Sequence, residues 1–221
     1  MAASTPVKKV KNAILREDGQ ILISNVRLSH PHLDKPYKGK GDAGVAKFSV
    51  TGMLDKKKHA EAIKLIQDQI AAVLKENKIK ALPADKKCLK DGDESGKTEY
   101  EGHYTISARE ERRPSLRDED GETVEQEDAK AKFYGGCYGS ILVRLWFQNN
   151  DYGKRVNAGL SAVKFKKDGE PFGEGRMTDD DVDEAFSAED DDDDADETPR
   201  RSSGSKRPAS RHEDNDDEDD L

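Results

Sequence analysis

The sequence predicts a mainly β fold with one inserted helix, followed by a long acidic tail. Three observations lead to this prediction. Short stretches of alternating apolar and polar residues recur along residues 1–177, which is the pattern of half-buried strands. Residues 55–75 instead repeat apolar side chains at intervals of three and four, the pattern of an amphipathic helix. Residues 178–221 contain 20 acidic and 5 basic residues and too few apolar ones to form a core.

Charge is distributed unevenly along the chain. The 221 residues carry a formal net charge of −9, with 38% charged and 33% hydrophobic residues. Residues 178–221 have a net charge of −15, whereas residues 1–177 have 33 basic and 27 acidic residues and a net charge of +6. Because blocks of like charge stay solvated, we predict a flexible basic arm (1–18), one folded domain (19–177) and a disordered acidic tail (178–221).

The first half of the folded domain is predicted to hold three strands and the helix. The strands are expected at Ile21–Ser29, Val45–Leu54 and Tyr100–Arg109, each with one apolar face. The helix, Asp55–Lys75, is expected to pack its apolar side on the sheet. The segment His30–Gly41 is rich in proline, glycine and lysine, which predicts a loop.

The second half is predicted to be a long hairpin within Phe133–Lys167, turning at Asn149–Gly153. Asn, Asp and Gly accept the backbone angles of a tight turn. Successive side chains of a strand point to opposite faces, so the first arm of the hairpin presents two different surfaces. One is an apolar set suited to a core: Ile141, Val143, Leu145 and Phe147. The other carries aromatic rings and a guanidinium group: Tyr138, Ser140, Leu142, Arg144 and Trp146.

Two interpretations of this second face stay open. Flat rings stack on bases and a guanidinium group binds phosphate, so the face suits a single-stranded nucleic acid. Alternatively, it is a second buried surface beneath a loop or helix, because aromatic side chains are commonly buried.

Further basic residues lie near the predicted strands. Tyr37 stands beside Lys38 and near Lys40, which suits a basic loop that stacks one base, although an ordinary exposed loop has the same composition. Arg109, Arg112 and Arg113 form a dense basic cluster suited to phosphate, or alternatively to ion pairs with the acidic residues around them. The hairpin turn adds Tyr152, Lys154 and Arg155.

Together, about five short strands and a single inserted helix predict a small barrel rather than a repeating βαβ sheet. An OB-fold-like five-stranded Greek-key barrel fits this pattern, and barrels of this type bind oligonucleotides on a strand face and its flanking loops.

Five motifs within Gln20–Gly175 follow one another in an order that resembles a known family. They are Ser24–Leu33 (SNVRLSHPHL), Lys47–Val50 (KFSV), Leu89–Asp93 (LKDGD), Phe133–Gly136 (FYGG) and Ala158–Leu160 (AGL). In order and spacing they resemble a family of bacteriophage single-stranded DNA-binding proteins. The resemblance implies an OB-fold body, an acidic C-terminal tail and a role in covering exposed single strands during phage replication or recombination.

No enzyme motif, metal site or cofactor site is apparent in the sequence. There is no nucleophile elbow, no phosphate-binding glycine loop before a helix and no pair of zinc ligands, so we expect neither catalysis nor a cofactor nor a metal. Cys88 and Cys137 lack CxxC spacing and are expected to be free thiols. The sequence has no apolar run that could span a bilayer and no signal peptide, which predicts a cytoplasmic protein, in the host cell if phage-encoded.

The function predicted from these features is single-stranded DNA binding with low sequence specificity, regulated by the acidic tail. An acidic-tailed protein-interaction module or chaperone is the alternative, and a metal-dependent nuclease is a weaker one. The tail is expected to occupy the DNA site or to dock on replication proteins such as a polymerase, helicase or primase. The DNA-binding residues are predicted to be Tyr37, Lys38, Lys40, Arg109, Arg112, Arg113, Tyr138, Arg144, Trp146, Tyr152, Lys154 and Arg155. The partner-binding tail residues are Phe186, Asp190, Asp191, Asp192, Asp219, Asp220 and Leu221.

Overall fold

A computed structural model describes residues 4–39, 44–151 and 153–172 of the chain. Within these ranges most of the regular structure is β-strand, and single-turn 3₁₀ helices occur at Ala84–Lys86 and Thr98–Tyr100. The strands and helices are β1 (Pro6–Val10), β2 (Ala13–Arg16), β3 (Gln20–Tyr37), β4 (Lys47–Asp55), α1 (Ala60–Glu76), β5 (Leu89–Asp91), β6 (His103–Glu110), β7 (Ser115–Arg117), α2 (Ala129–Lys132), β8 (Tyr138–Asn150) and β9 (Gly153–Lys167).

Five of these strands close into a barrel. β3 pairs with β4, β4 with β6, β6 with β9, β9 with β8, and β8 again with β3. Every pairing is antiparallel except that of β6 with β9, which is parallel. Closure leaves none of these five strands with a free edge along its paired length. The predicted mainly β fold, with a five-stranded barrel and one main helix, is confirmed.

Apolar side chains from alternate strand positions fill the barrel. Ile21 and Ile23 of β3 and Ile141 and Val143 of β8 are fully buried, as the period-two pattern predicts. Gly52 faces them from β4, and a Cβ atom at this position would lie 2.9 Å from Cδ1 of Ile141. The missing side chain therefore leaves room for the isoleucine in the barrel interior.

Helix α1 packs its apolar side against the barrel. Its buried residues recur at three-and-four spacing, which confirms the predicted amphipathic pattern. The helix begins at Ala60 rather than at Asp55, because Asp55 ends β4 and its Oδ1 accepts hydrogen bonds from the backbone N–H groups of Lys57 and Lys58. None of the helices in the described ranges has the length and apolarity needed to cross a membrane.

An N-terminal β-hairpin replaces most of the flexible arm that the sequence predicts for residues 1–18. β1 pairs with β2, and β2 pairs with the start of β3. The turn depends on Asn12, whose φ of 63° is one that asparagine tolerates better than most residues. Ala13 is buried against the core, so the hairpin is part of the folded domain. Both strands are short and β1 contains two lysines, so neither shows a clear strand pattern in the sequence.

β3 extends through a segment that the sequence predicts as a loop. The strand runs to Tyr37, with irregular pairing to β4 between Ser29 and His32 and again between His32 and Tyr37. The prolines at positions 31 and 36 fall in these irregular stretches, where no continuous hydrogen-bond ladder is needed. Leu33, which is 1% exposed, fixes the segment to the core.

Both cysteines are buried and free, as the sequence predicts. Burial raises the pKa of the Cys88 thiol to about 12 and that of the Cys137 thiol to about 11. At neutral pH each side chain is therefore the uncharged thiol, which is a poor nucleophile.

These thiols should react with an aromatic disulfide reagent only when the protein is unfolded. At about pH 8, near the ordinary thiol pKa, we expect the native protein to react at least ~100-fold more slowly than the protein in guanidinium chloride. The absorbance of the released thiolate measures both rates. Fast reaction of either thiol in the native protein would contradict the buried positions.

Candidate functional site

An open groove of about 570 Å³ crosses the outer surface of the barrel. It brings together three residues that the sequence predicts to bind DNA, Arg109, Arg144 and Trp146. We call it the Trp146 groove. Its complete lining is Gln20, Lys47, Arg109, Glu110, Glu111, Arg144, Trp146, Gly159 and Ser161.

A row of residues in register crosses the five barrel strands, and four of its members line the Trp146 groove: Gln20, Arg109, Arg144 and Gly159. Ser49 of β4 pairs with Arg109 of β6, and Arg109 pairs with Gly159 of β9. Gly159 pairs with Arg144 of β8, and Arg144 pairs with Gln20 at the start of β3. Residues paired directly across neighbouring strands point to the same face of the sheet. The row therefore runs across the strands on the outer face of the barrel.

Trp146 lies on this outer face and its side chain is 45% exposed. On the opposite face of β8, Ile141 and Val143 are fully buried, and Leu145 and Phe147 pack partly buried against the same core. The interpretation of the whole second face as a buried surface therefore fails at Arg144 and Trp146, which are both exposed.

Gly159 keeps the groove open beside the indole ring. A Cβ atom at this position would lie 3.9 Å from Cδ1 of Trp146 and 3.3 Å from Oε2 of Glu110. A larger side chain here would fill the space between the indole ring of Trp146 and the carboxylate of Glu110. The glycine thus leaves this part of the groove open beside the aromatic ring.

The charges lining the groove are three cations and two carboxylates. Nζ of Lys47 lies 3.2 Å from Oε1 of Glu111, and Nη2 of Arg144 lies 3.9 Å from Oδ2 of Asp18. Ion pairs with this much exposure contribute little to stability, so an incoming anion can replace the carboxylates at small cost. The groove is therefore suited to a ligand that carries both flat rings and negative charge.

The β8–β9 hairpin continues the outer face beyond the groove with amide side chains that the sequence analysis overlooked. Asn157 pairs with Trp146, and Gln148 pairs with Arg155. Nδ2 of Asn157 donates to Oε1 of Gln148 at 2.8 Å, and Nε2 of Gln148 donates to Oδ1 of Asn150 at 2.9 Å. The alternation of side chains that places Trp146 on the outer face of β8 also places Gln148 there, so the position of Gln148 could have been predicted from the sequence.

The remaining predicted residues lie in several places. Arg155 shares the face of Trp146, whereas Lys154 pairs with Asn149 on the other face of the hairpin. Arg112 and Arg113 are exposed just after β6, and Nη2 of Arg113 donates to the carbonyl oxygen of Val124 at 3.4 Å. Tyr37 and Lys38 are exposed at the end of β3. Some predicted residues lie outside the part of the chain that the structure describes. They are Lys40, Tyr152 and the predicted tail residues Phe186, Asp190, Asp191, Asp192, Asp219, Asp220 and Leu221.

Tyr138 lies apart from the groove. It is eight positions before Trp146 on β8, which corresponds to about 27 Å along a strand. The residue pairs with Arg27 and Lys167, and Nζ of Lys167 lies 4.9 Å from the centre of its ring. The ring is only half-buried, but the structure does not bring it together with Trp146.

Metal-binding chemistry has no support in the part of the chain that the structure describes. No group of three or more His, Cys, Asp or Glu side chains there is arranged to hold an ion. The chemistry of the site is instead that of a binding surface: a ring, cations and amides around an open floor.

Comparisons with known proteins identify similar phage proteins. A sequence model of the family described as "Enterobacter phage Enc34, ssDNA-binding protein" matches residues 19–196. A protein of Acyrthosiphon pisum secondary endosymbiont phage 1, "Putative protein p50", is 30% identical over 182 residues, covering 77% of this chain and 96% of the relative.

Solved structures of one phage protein are similar over most of the chain. The single-stranded DNA-binding protein from bacteriophage Enc34, as a C-terminal truncation, is 42% identical, with a TM-score of 0.73 over 78% of this chain and 99% of that one. The same protein in complex with ssDNA is 44% identical, with a TM-score of 0.73 over 77% of this chain and 98% of that one.

Substitutions on the two faces of β8 should affect stability very differently. We expect Trp146→Ala to change the free energy of unfolding by less than about 1 kcal/mol, because the ring is half exposed. Ile141→Ala, the matched control on the buried face, should cost about 2–5 kcal/mol. Urea denaturation followed by circular dichroism measures both values. A loss at Trp146 as large as that at Ile141 would show that the indole belongs to the core.

Proposed function

The chain belongs to the family of single-stranded DNA-binding proteins represented by that of Enterobacter phage Enc34, and on this premise we propose that it coats unpaired phage DNA through the Trp146 groove. The observation that carries the proposal is the half-exposed indole of Trp146, held in an open groove with Arg144 and Arg109. The family is one of DNA-binding proteins rather than enzymes, which agrees with the expected absence of catalysis.

Base stacking supplies the first part of the proposed affinity. Every base has a flat face, so an exposed indole binds any of them, with about 1–3 kcal/mol for each stacked base. Gly159 leaves the space beside Trp146 clear for a base to lie there. Because stacking does not depend on the hydrogen-bonding edge of the base, little sequence preference is expected.

Phosphate contacts supply the second part. Arg109 and Arg144 are in register with Gly159 on the outer face, so a strand lying across β6, β9 and β8 passes both guanidinium groups. Forked guanidinium groups suit phosphate oxygens. For the parts of the DNA strand that lie beyond the groove, the predicted phosphate contacts are Lys38, Lys40, Arg112, Arg113, Lys154 and Arg155.

The biological role that we propose is protection of single strands during phage replication or recombination. A protein that binds by stacking and by phosphate contacts covers any exposed strand, whatever its sequence. Such a protein would act where phage DNA is copied, which is the cytoplasm of the host cell.

The acidic tail is proposed to regulate this site. Residues 178–221 carry a net charge of −15, and the folded part carries an excess of positive charge. In the absence of DNA the tail competes for the cations of the groove. DNA displaces it, and its acidic segments, with Phe186 among them, are then available to a polymerase, helicase or primase.

Titration of Trp146 fluorescence with poly(dT) tests the proposed site, since this is the one tryptophan in the chain. The wild-type protein should show quenching, with a log–log salt dependence of about −0.7 per phosphate neutralised. Arg144→Ala and Arg109→Ala should each weaken binding and reduce the magnitude of that slope by about 0.7.

Lys64→Ala is the control, because Lys64 is exposed on α1 and no residue of α1 lines the groove. It should leave the slope unchanged. A labelled oligonucleotide measures the affinity of Trp146→Ala, which has no fluorescence signal of its own. Unquenched tryptophan at saturating DNA, or equal slopes for all variants, would refute the proposed site.

Truncation after Met177 tests the regulatory role of the tail. The truncated protein should bind poly(dT) more tightly than the full chain at low salt, because a competing polyanion has been removed. The difference should disappear near 1 M salt, where charges are screened beyond about 3 Å. Unchanged or weaker binding by the truncated protein at low salt would contradict competition by the tail.

A further inference from the structure

The excess positive charge of the folded domain is concentrated around helix α1. Residues 56–90 contain ten lysines and four acidic residues, which gives a net charge of +6. Residues 1–177 have 33 basic and 27 acidic side chains, so those outside 56–90 balance at 23 of each. No residue of this stretch lines the Trp146 groove. The domain therefore has a basic surface that does not overlap with the proposed DNA site.

A second open groove, of about 300 Å³, lies on this basic surface between α1 and β5. We call it the α1–β5 groove. Its apolar floor is formed by Ile70 and Leu74 of α1 and by Leu89 of β5, each at most 8% exposed. Ala71 also lines the groove and is exposed, so no bulky side chain from this position of the helix fills it.

Charged side chains surround the apolar floor. Lys87 and Lys90 line the groove, as do the carboxylates of Asp91 and Glu94. Oδ1 of Asp91 lies 2.6 Å from Nζ of Lys56, so its charge is balanced by that lysine. With the other lysines of residues 56–90 nearby in sequence, the groove suits a ligand that is acidic and also carries apolar side chains.

The acidic tail contains a segment with this chemistry. Residues 178–221 have three large apolar side chains, and two of them, Val182 and Phe186, lie four positions apart. Both belong to the segment Asp179–Phe186 (DDDVDEAF), in which five of the eight residues are acidic. The segment is thus complementary in charge to the basic surface and brings two apolar side chains to its groove.

The apolar floor distinguishes between the possible acidic ligands. A DNA strand would use the lysines of this surface, but its phosphates gain nothing from Ile70, Leu74 and Leu89. An acidic peptide with apolar side chains uses both, since burying a phenyl ring in an apolar groove is favourable. The groove therefore favours a peptide of this composition over a second DNA path.

The length of the chain allows the segment to reach another copy. Phe186 is 14 residues beyond Phe172, the last described residue, and 14 residues can span up to about 46 Å. A segment and a groove at different places of one chain make a heterologous contact, and such contacts can join copies into open rows. An open row matches the arrangement of a protein that coats a linear strand.

We infer that the α1–β5 groove binds the segment Asp179–Phe186 of a neighbouring copy, and so links copies that lie side by side on one DNA strand. This inference rests on the proposed function, because the strand is what places the copies beside each other. Phe186 enters the groove between α1 and β5, and the acidic side chains face the lysines. A tail that DNA has displaced from the Trp146 groove is then able to dock on the next copy.

The test compares binding of the full chain to poly(dT) and to an oligothymidylate short enough that titration shows one copy bound. Trp146 quenching is the readout, and the ratio of the two apparent affinities measures the linkage between copies. Phe186→Ala should lower this ratio about 10-fold or more, the loss expected when a phenylalanine side chain is no longer buried. Ala71→Glu, which places a carboxylate in the groove, should lower it similarly. Neither should change the affinity for the short oligonucleotide by more than about twofold.

Matched controls make the same changes elsewhere. Leu221→Ala removes the third large apolar side chain of the tail and should leave the ratio unchanged. Ala60→Glu makes the same substitution at an exposed alanine of α1 that does not line the groove, about 16 Å along the helix from Ala71, and should also have no effect. Circular dichroism verifies that each variant is folded.

Charge reversal gives an independent test that leaves the apolar side chains intact. Lys87→Glu/Lys90→Glu should lower the ratio about 3- to 10-fold, the loss expected for two exposed ion pairs. Asp181→Lys/Asp183→Lys in the same chain should raise it again, because the charges of the two partners are then exchanged. The combination of Phe186→Ala with Ala71→Glu should be no worse than either alone, since the two changes break one contact.

The outcomes separate this inference from the proposed function. If poly(dT) quenches Trp146 and all variants have the wild-type ratio, the link between copies is wrong and the Trp146 groove stands. Multiplying effects of Phe186→Ala and Ala71→Glu would show that the groove binds another ligand, such as DNA, and would also overturn the inference. It fails as well if the variants change the affinity for the short oligonucleotide instead of the ratio, because the segment would then act within its own chain. If poly(dT) does not quench Trp146, both proposals fail.

Discussion

The parallel pairing of β6 with β9 is the constraint on which the rest of this structure depends. It closes the barrel through two residue pairs, Ala108 with Ala158 and Arg109 with Gly159. The alanines are buried and belong to the core, whereas the second pair faces outward. One pairing thus joins the two halves of the chain and also places Arg109 in line with Arg144 of β8. Without that closure the strands would form an open sheet in which β4 and β3 separate the strand of Arg109 from that of Arg144, and the two arginines would no longer flank one groove.

Hydrophobic patterns within a single strand or helix predicted correctly which of its residues are buried. The alternation along β8 predicted that Ile141 and Val143 are buried and that Arg144 and Trp146 lie on the opposite face, and the structure agrees. Helix α1 was recognisable because its apolar residues repeat over several turns. In each case the hydrophobic pattern lies within one strand or helix. Any apolar surface that packs against the apolar side of that strand or helix is enough to explain the pattern.

What the sequence did not reveal depends on partners that are distant along the chain. The β1–β2 hairpin is stable because β2 pairs with β3 and Ala13 reaches the core, and neither fact is visible in a lysine-rich segment of eighteen residues. The last part of β3 was predicted as a loop because it contains Pro31 and Pro36. It is a strand because Leu33 is buried in the core and Gln126 donates a hydrogen bond to the carbonyl oxygen of Asp34. Tyr138 and Trp146 share a face of one strand, but nothing in their spacing shows that Lys167 covers one ring and that Gly159 leaves space beside the other.

The exposed aromatic rings of the outer face are attached to strands rather than to mobile loops, and this attachment keeps them exposed. Trp146 and Tyr37 each forgo part of the stabilisation that burial would provide, since an aromatic side chain has a large apolar surface. A mobile loop could hide such rings against the nearest apolar surface. A strand whose other face is locked in the core cannot, because turning the ring inward would turn Ile141 and Val143 outward. The core residues on the opposite face of β8 therefore keep the indole ring of Trp146 on the outer face of the barrel.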